Sequence, residues 1–344
     1  MATRKKPSTP LAWVGSITAV FSLIAGVYAG WVFLSGQFEK HRTIDRLLAT
    51  EAVQLRTSDY ESAWKTLDQA AKADPGSTRV RDAREDLAMD WLDNIRISGK
   101  QTFSEIVEKL EPVLTAGVVS AKLPQRQADL LAHLGWSYFL RSREAWSGPD
   151  PATAYRDALK RDSGNPYAHA MWGHWQLWNH ENFAEALTHF AAALASPRPG
   201  VRAYVRKTQL SALNNAHTPE ADDELVRVAN EIRKEHGEMD RDRSHDILNL
   251  YWECVTLTNE HSAAFLRAVP AAEHLATFDW LVQRENPSGS DGYAYIHAAL
   301  LEAAGRQEEA LAGYRALQSR FEPDSRGTVP DNTRKAIARL TGAR

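Results

Sequence analysis

Residues Leu11 to Leu34 run for 24 positions without a charged side chain, directly after a tail that carries Arg4, Lys5 and Lys6. In lipid every backbone polar group must be satisfied within the segment, so a stretch of this kind folds as a helix. At 1.5 Å per residue it is ~36 Å long, enough to cross a hydrocarbon core of ~30 Å with some tilt. Eleven of its residues are Leu, Ile, Val or Phe. Trp13 near one end, with Tyr28 and Trp31 near the other, suit the two interfaces. The expected layout is a basic tail over 1–10, a transmembrane helix over 11–34 and a juxtamembrane linker over 35–43. A cleaved leader is the rival, because Val27, Tyr28 and Ala29 satisfy a small-residue cleavage rule. The stretch exceeds the ~7 to 15 residues of a leader core, however, and Trp31 to Leu34 continue it past the cut.

Basic residues flank the span evenly, with Lys40, Arg42 and Arg46 following it. The compact first cluster and the free amino group place the amino terminus in the cytoplasm and the large domain in the periplasm or exterior, with a bacterial inner membrane favoured. The even count leaves a cytosol-facing domain open. Gly15, Ala19, Ser22, Gly26 and Gly30 share one helix face, which would let a second span approach closely, so lateral association of the span is a further expectation.

Beyond the span, apolar residues recur at three- and four-residue intervals and strand signals are few, so the chain reads as helix throughout. Thr218 to Gly237 shows the pattern: a Thr cap, Pro219 in the first turn, then Glu220, Asp222 and Asp223 where the helix dipole favours anions. Leu225, Val228 and Ile232 form one apolar face, and Gly237 ends the segment.

Self-similarity then narrows the architecture. Tyr60, Ala63, Leu67, Ala70 and Pro75 have the spacing of the second helix of a repeat and its closing proline. Tyr155, Ala158 and Leu159 end another. Trp172 and Gly173 with Phe183, Ala186, Phe190, Ala193 and Leu194 make a full one, and Gly305, Ala310 and Tyr314 belong to a last. These segments resemble the tetratricopeptide repeat family. The resemblance implies an all-α fold: a right-handed superhelical solenoid of antiparallel helix pairs behind the transmembrane helix. In such a fold small residues sit where two helices cross, and each pair exposes an apolar face that the next covers. The expected organisation is repeats over 44–200, degenerate helical repeats over 201–285, a loop at 286–292, one more repeat at 293–320, and a connector with a terminal helix over 321–344.

Chemistry is sparse. The net charge of -3 argues against a bulk electrostatic grip on nucleic acid. A single cysteine, Cys254, allows no internal disulfide and reads as a small buried hydrophobe. Asp240, Asp242, Ser244 and Asp246 alternate as in a calcium loop, but His245 stands where glycine belongs and Tyr251 where glutamate does, so the segment reads as a solvated turn. No zinc, phosphate-loop or nucleophile-turn motif is present. The expectation is therefore no catalytic residue, no metal and no cofactor, and a protein that is not an enzyme.

The chain has eleven tryptophans, and Trp172, Trp175 and Trp178 follow at three-residue steps between His169 and His180. The rings span about 120° of one helix side. They are candidates for filling inter-repeat holes or for binding a peptide or a sugar. His169, Trp172, Trp175 and Trp178 are the candidate partner-binding residues. The function the resemblance implies is a membrane-tethered scaffold that binds protein partners in assembly, secretion or export at a bacterial envelope. A glycan or small-ligand module using the tryptophan face is one alternative. A cytosol-facing receptor on an organelle or inner membrane, similar in layout to mitochondrial import receptors, is the other.

Overall fold

The computed structural model describes residues 11–97, 101–144, 147–285 and 290–342. Every regular element among them is helical. The chain divides into two compact units, Met1–Arg96 and Ile97–Arg344.

The first unit holds α1 (Leu11–Arg56), α2 (Tyr60–Ala73) and α3 (Thr78–Asp93). Asp59 caps α2 by accepting from the Ser62 N–H, and Ser77 caps α3 through the Val80 N–H. Capping of this kind satisfies one of the donors that a helix start leaves open. Ala63, Leu67 and Ala70 are fully buried, Ile44 of α1 joins Ala70 and Val80 in a small core, and Tyr60 stacks on Trp91. The spacing seen in the sequence is therefore a packing face.

Two boundaries differ from expectation. Residues 35–43 are not a linker: α1 runs through them unbroken, because no proline interrupts this segment and Glu39, Lys40 and Arg42 are good helix formers. The expected repeat stretch 44–200 divides after Arg96, where the first compact unit ends. Among the described residues no helix is long and apolar enough to cross a membrane. The side chains of 11–27, which make up most of the expected span, lie outside the described ones.

The second unit contains α4 (Phe103–Ser120), α5 (Pro124–Ser142), α6 (Pro151–Arg161), α7 (Pro166–Trp178), α8 (Phe183–Leu194), α9 (Val201–Ala216) and α10 (Pro219–Lys234). Each packs against its neighbour in sequence, while α5, α7 and α9 also pack directly on one another to form one row. Prolines in the first turn of α5, α6, α7 and α10 fit where the missing N–H costs nothing. A reciprocal Thr102–Glu105 capping box starts α4.

After α11 (Arg241–Tyr251) the regular alternation changes: a π-helical turn, Trp252–Leu257, leads to α12 (Ser262–Phe265) and α13 (Ala271–Glu285). Here α13 packs on both α10 and α11. Fully buried Tyr251 is held by His274, whose Nδ1 lies 3.0 Å from the Tyr hydroxyl and whose Nε2 lies 3.1 Å from the Phe265 carbonyl. The acidic alternation at 240–246 is not a free turn but the start of α11, with the Asp240 carboxylate accepting from the Arg243 N–H and Arg243 paired to Asp246. Cys254 is buried, and burial pushes its thiol up to about 12, far from a reactive thiolate. The chain closes with α14 (Asp291–Ala303), α15 (Gln307–Gln318) and α16 (Thr328–Thr341). Ala310 and Tyr314 are buried as the repeat spacing requires, and Gly305 takes the left-handed turn between α14 and α15.

Candidate functional site

The candidate residues all lie on α7, where Asn165 caps the helix start and Pro166 opens the first turn. Small residues let α8 come close: a Cβ on Gly173 would lie 3.0 Å from the Ala186 carbonyl and 3.1 Å from the Phe190 ring. That close crossing brings His169 to His189 of α8, with the two Nδ1 atoms 2.8 Å apart. Trp172 lies over the same His189, its ring 4.6 Å away and inclined by 27°. His169 Nε2 reaches the Ser163 carbonyl at 3.0 Å, and His189 Nε2 faces the Glu185 carboxylate at 3.9 Å.

The other two tryptophans do not touch this pair, although Trp175 shares a core cluster with Trp172. Trp175 packs with Trp136 against the core formed by Ala128, Ala132, Tyr155, Ala158, Ala168 and Met171. Trp178 meets Phe139 of α5 edge-on. Trp172, Trp175 and Trp178 are each half-buried. His180 lies beyond the helix end in a left-handed conformation and is exposed. The structure thus joins His169 and Trp172 around one partner and leaves Trp178 to another group.

That second group is centred on residues not singled out by the sequence. Arg143, which caps α5, lies with its guanidinium 5.0 Å from the Phe103 ring and 4.6 Å from the Trp178 ring. Cation–π contacts hold a charge in place without neutralising it. Glu144 accepts from the Phe103 and Ser104 N–H groups at 2.6 and 2.9 Å and acts on Arg143 through its field alone, without a contact ion pair between them. Beneath it His174, 4% exposed, packs between Trp136 and Phe139. Its Nδ1 is buried without a hydrogen-bond partner among the described residues. Burial first, then the positive fields of Arg143 and Arg243, pull its pKa down to about 3, so the ring is neutral at pH 7.

Gly15, Ala19, Ser22, Gly26 and Gly30 fall on α1, but their side chains lie outside the described residues. Further along α1, Tyr28, Trp31, Leu34 and Phe38 are exposed, Trp31 to 70%.

No family model matches the chain, and no curated protein matches it. Among solved structures it is similar to a tetratricopeptide repeat protein from Parabacteroides merdae, at 12% identity and a TM-score of 0.39, over 88% of this chain and 99% of that one. It is also similar to the TPR domain of P58(IPK), at 14% identity and a TM-score of 0.21, over 88% of this chain and 99% of that one.

Proposed function

We propose that this protein is a membrane-tethered scaffold that binds a segment of a protein partner and catalyses nothing. The observation that carries the binding half is Arg143: a guanidinium fixed between Phe103 and Trp178, without an ion pair among the described residues, beside the row of α5, α7 and α9. A preorganised cation of this kind favours a partner segment bearing a carboxylate, since little side-chain entropy remains to be lost on pairing. Rows of helices present extended surfaces suited to peptides and helices. The tether is supported by the 24 uncharged positions of Leu11–Leu34 and by exposed Tyr28, Trp31, Leu34 and Phe38. It would place the second unit at a bacterial envelope, amino terminus cytoplasmic, where tethering raises effective concentration.

The test is quantitative crosslinking and mass spectrometry of the full-length protein in its native membrane, beside Arg143→Glu and a variant lacking residues 1–36. We expect Arg143→Glu to cut capture of the dominant partner at least tenfold, about 1.4 kcal/mol of binding, with helix content unchanged. The shortened variant leaves the membrane fraction. Equal capture by Arg143→Glu removes the peptide-binding reading, and an unchanged membrane fraction without 1–36 removes the tether.

A further inference from the structure

We infer that the corner where α4 turns into α5 is a lipid-contact site, which seats Val119 and Leu123 in the surface of an anionic bilayer with Lys122 at the headgroups. It uses residues apart from Arg143 and does not rest on the partner-binding reading.

Val119 lies in the last turn of α4 and Leu123 immediately before α5. Among the described residues no large apolar side chain is more exposed than Val119, at 83%, and Leu123 is 68% exposed. A single exposed leucine is ordinary. Leu123, however, occupies the N-cap of α5, where Ser, Thr, Asp or Asn would satisfy an open N–H. Helices α4, α6, α7 and α8 all start on such a side-chain cap, through Thr102, Asp150, Asn165 and Asn182, and α5 does not. The chain thus forgoes folding stability to present an apolar side chain to the surroundings.

The backbone of the corner is suited to apolar surroundings. The Ala121 N–H donates to the Gly117 carbonyl at 2.8 Å, and the Gln127 N–H donates to the Leu123 carbonyl at 3.0 Å. The Gln127 side-chain amide donates to the Ala121 carbonyl at 2.7 Å, and the Ser120 hydroxyl to the Gly117 carbonyl at 3.4 Å. Pro124 has no N–H to satisfy. Polar groups without partners are what keep loops out of hydrocarbon, and these are met inside the protein.

Charge selects the kind of surface. From Pro112 to Ala128 the chain has no Asp or Glu but carries Lys122 and Arg126. The flanking acids are engaged within the protein, Glu111 with Arg141 at 3.1 Å and Asp129 with Arg198 at 2.7 Å. No acidic residue stands in the first turn of α5, so the positive end of its dipole is uncompensated there. An exposed lysine between two exposed apolar side chains fits acyl chains under an anionic headgroup layer. A second copy meeting the corner about a two-fold axis would instead set Lys122 against Lys122, which like charges disfavour. Alone the contact is weak, but a tether to the same membrane makes it intramolecular.

The experiment places a nitrobenzoxadiazole probe on Ser120→Cys of the full-length protein, reconstituted into vesicles of phosphatidylglycerol or of phosphatidylcholine. Cys254, buried and with its thiol pushed up to about 12, does not compete for the label. Flotation with the vesicles reports attachment of the protein, while quenching by lipids spin-labelled along the acyl chain reports the corner. Expected is a blue-shifted, quenched probe in phosphatidylglycerol and weaker quenching in phosphatidylcholine. Lys122→Gln lowers the ratio of inserted to free probe about fivefold, the effect of one basic residue at an anionic surface. Val119→Asp abolishes the quenching with circular dichroism unchanged. Floating protein with an unquenched probe, or with equal quenching in the two lipids, overturns the assignment and leaves the tether standing. Protein that floats with neither lipid overturns both. A shifted but unquenched probe, with pairs of chains crosslinked at the corner, gives the surface to a second copy and overturns the lipid site.

Discussion

Lowering the pH from 7 to 4 unfolds residues 97–344, and below about pH 6.5 stability falls by about 3 kcal/mol per pH unit. The main cause is two imidazoles enclosed in neutral form, to which His189, also brought down to about 4 by burial and the field of His169, adds in the same sense. His174 is brought down to about 3 by burial and by the fields of Arg143 and Arg243, and His274 down to about 4 by burial. In the unfolded chain both titrate near 6.5. Above that value neither state binds the extra proton and the full stability is present. As pH falls below it, the unfolded chain takes up two protons that the folded one refuses. Each contributes about 1.4 kcal/mol per pH unit until its folded pKa is reached. By pH 4 the loss is about 7 kcal/mol, comparable to the whole stability of a typical domain. Asp222 and Glu224, raised by burial, act in the opposite sense over part of the interval. Urea titrations at pH 7, 6 and 5, followed by circular dichroism, measure the slope. His174→Leu should lower it by about 1.4 kcal/mol per pH unit, because it removes that proton together with an unpartnered Nδ1 from the core. A slope that His174→Leu leaves unchanged, or a protein equally stable at pH 5 and 7, would contradict this assignment.

What could be read in the sequence was local. Ala63, Leu67 and Ala70, or Ala310 and Tyr314, are separated by single helical turns, and turn spacing is visible in one dimension. Phe190 filling the space beside Gly173 follows from the same logic, since a repeat fixes which helix faces which. The pairing of His169 with His189 was not legible. It depends on the register of α7 against α8, which one residue added to the turn would rotate by about 100°. Arg143 was hidden for a related reason: its partners, Phe103 and Trp178, stand 40 and 35 positions away on two different helices. The boundary at Arg96 escaped because Arg96 to Lys100 has the same composition as any surface turn. The tryptophan steps at 172, 175 and 178 drew attention to the right helix, but three-residue spacing spreads side chains around it: Trp172 and Trp175 lean on one core cluster, while Trp178 meets Phe139.

Replacing Gly135 with alanine should destabilise the second unit by about 3 kcal/mol, the upper part of the range for overpacking a core. Gly135 lies on α5 where α6 crosses it, and a Cβ there would sit 2.5 Å from Cε1 and 2.8 Å from Cδ1 of Tyr155. Neither side can yield easily. Tyr155 is fully buried, its ring enclosed by Ala128, Ala132, Ala158, Ala168 and Met171, and α6 is fixed at its start by the Asp150 cap. The helical backbone at 135 is indifferent to the change, and alanine has the higher helix propensity, by about 1 kcal/mol. A loss of stability therefore reports the clash and nothing local. The decisive comparison is a double-mutant cycle. Tyr155→Leu alone leaves a cavity and costs several kcal/mol. Combined with Gly135→Ala, it gives the new methyl group room, so the pair should be less destabilised than the sum of the two by at least 1 kcal/mol, a coupling expected only of residues in contact. Thermal and urea unfolding of the four proteins supply the cycle. Strict additivity, or a Gly135→Ala protein as stable as the original, would mean that α5 and α6 do not cross at Gly135 as described.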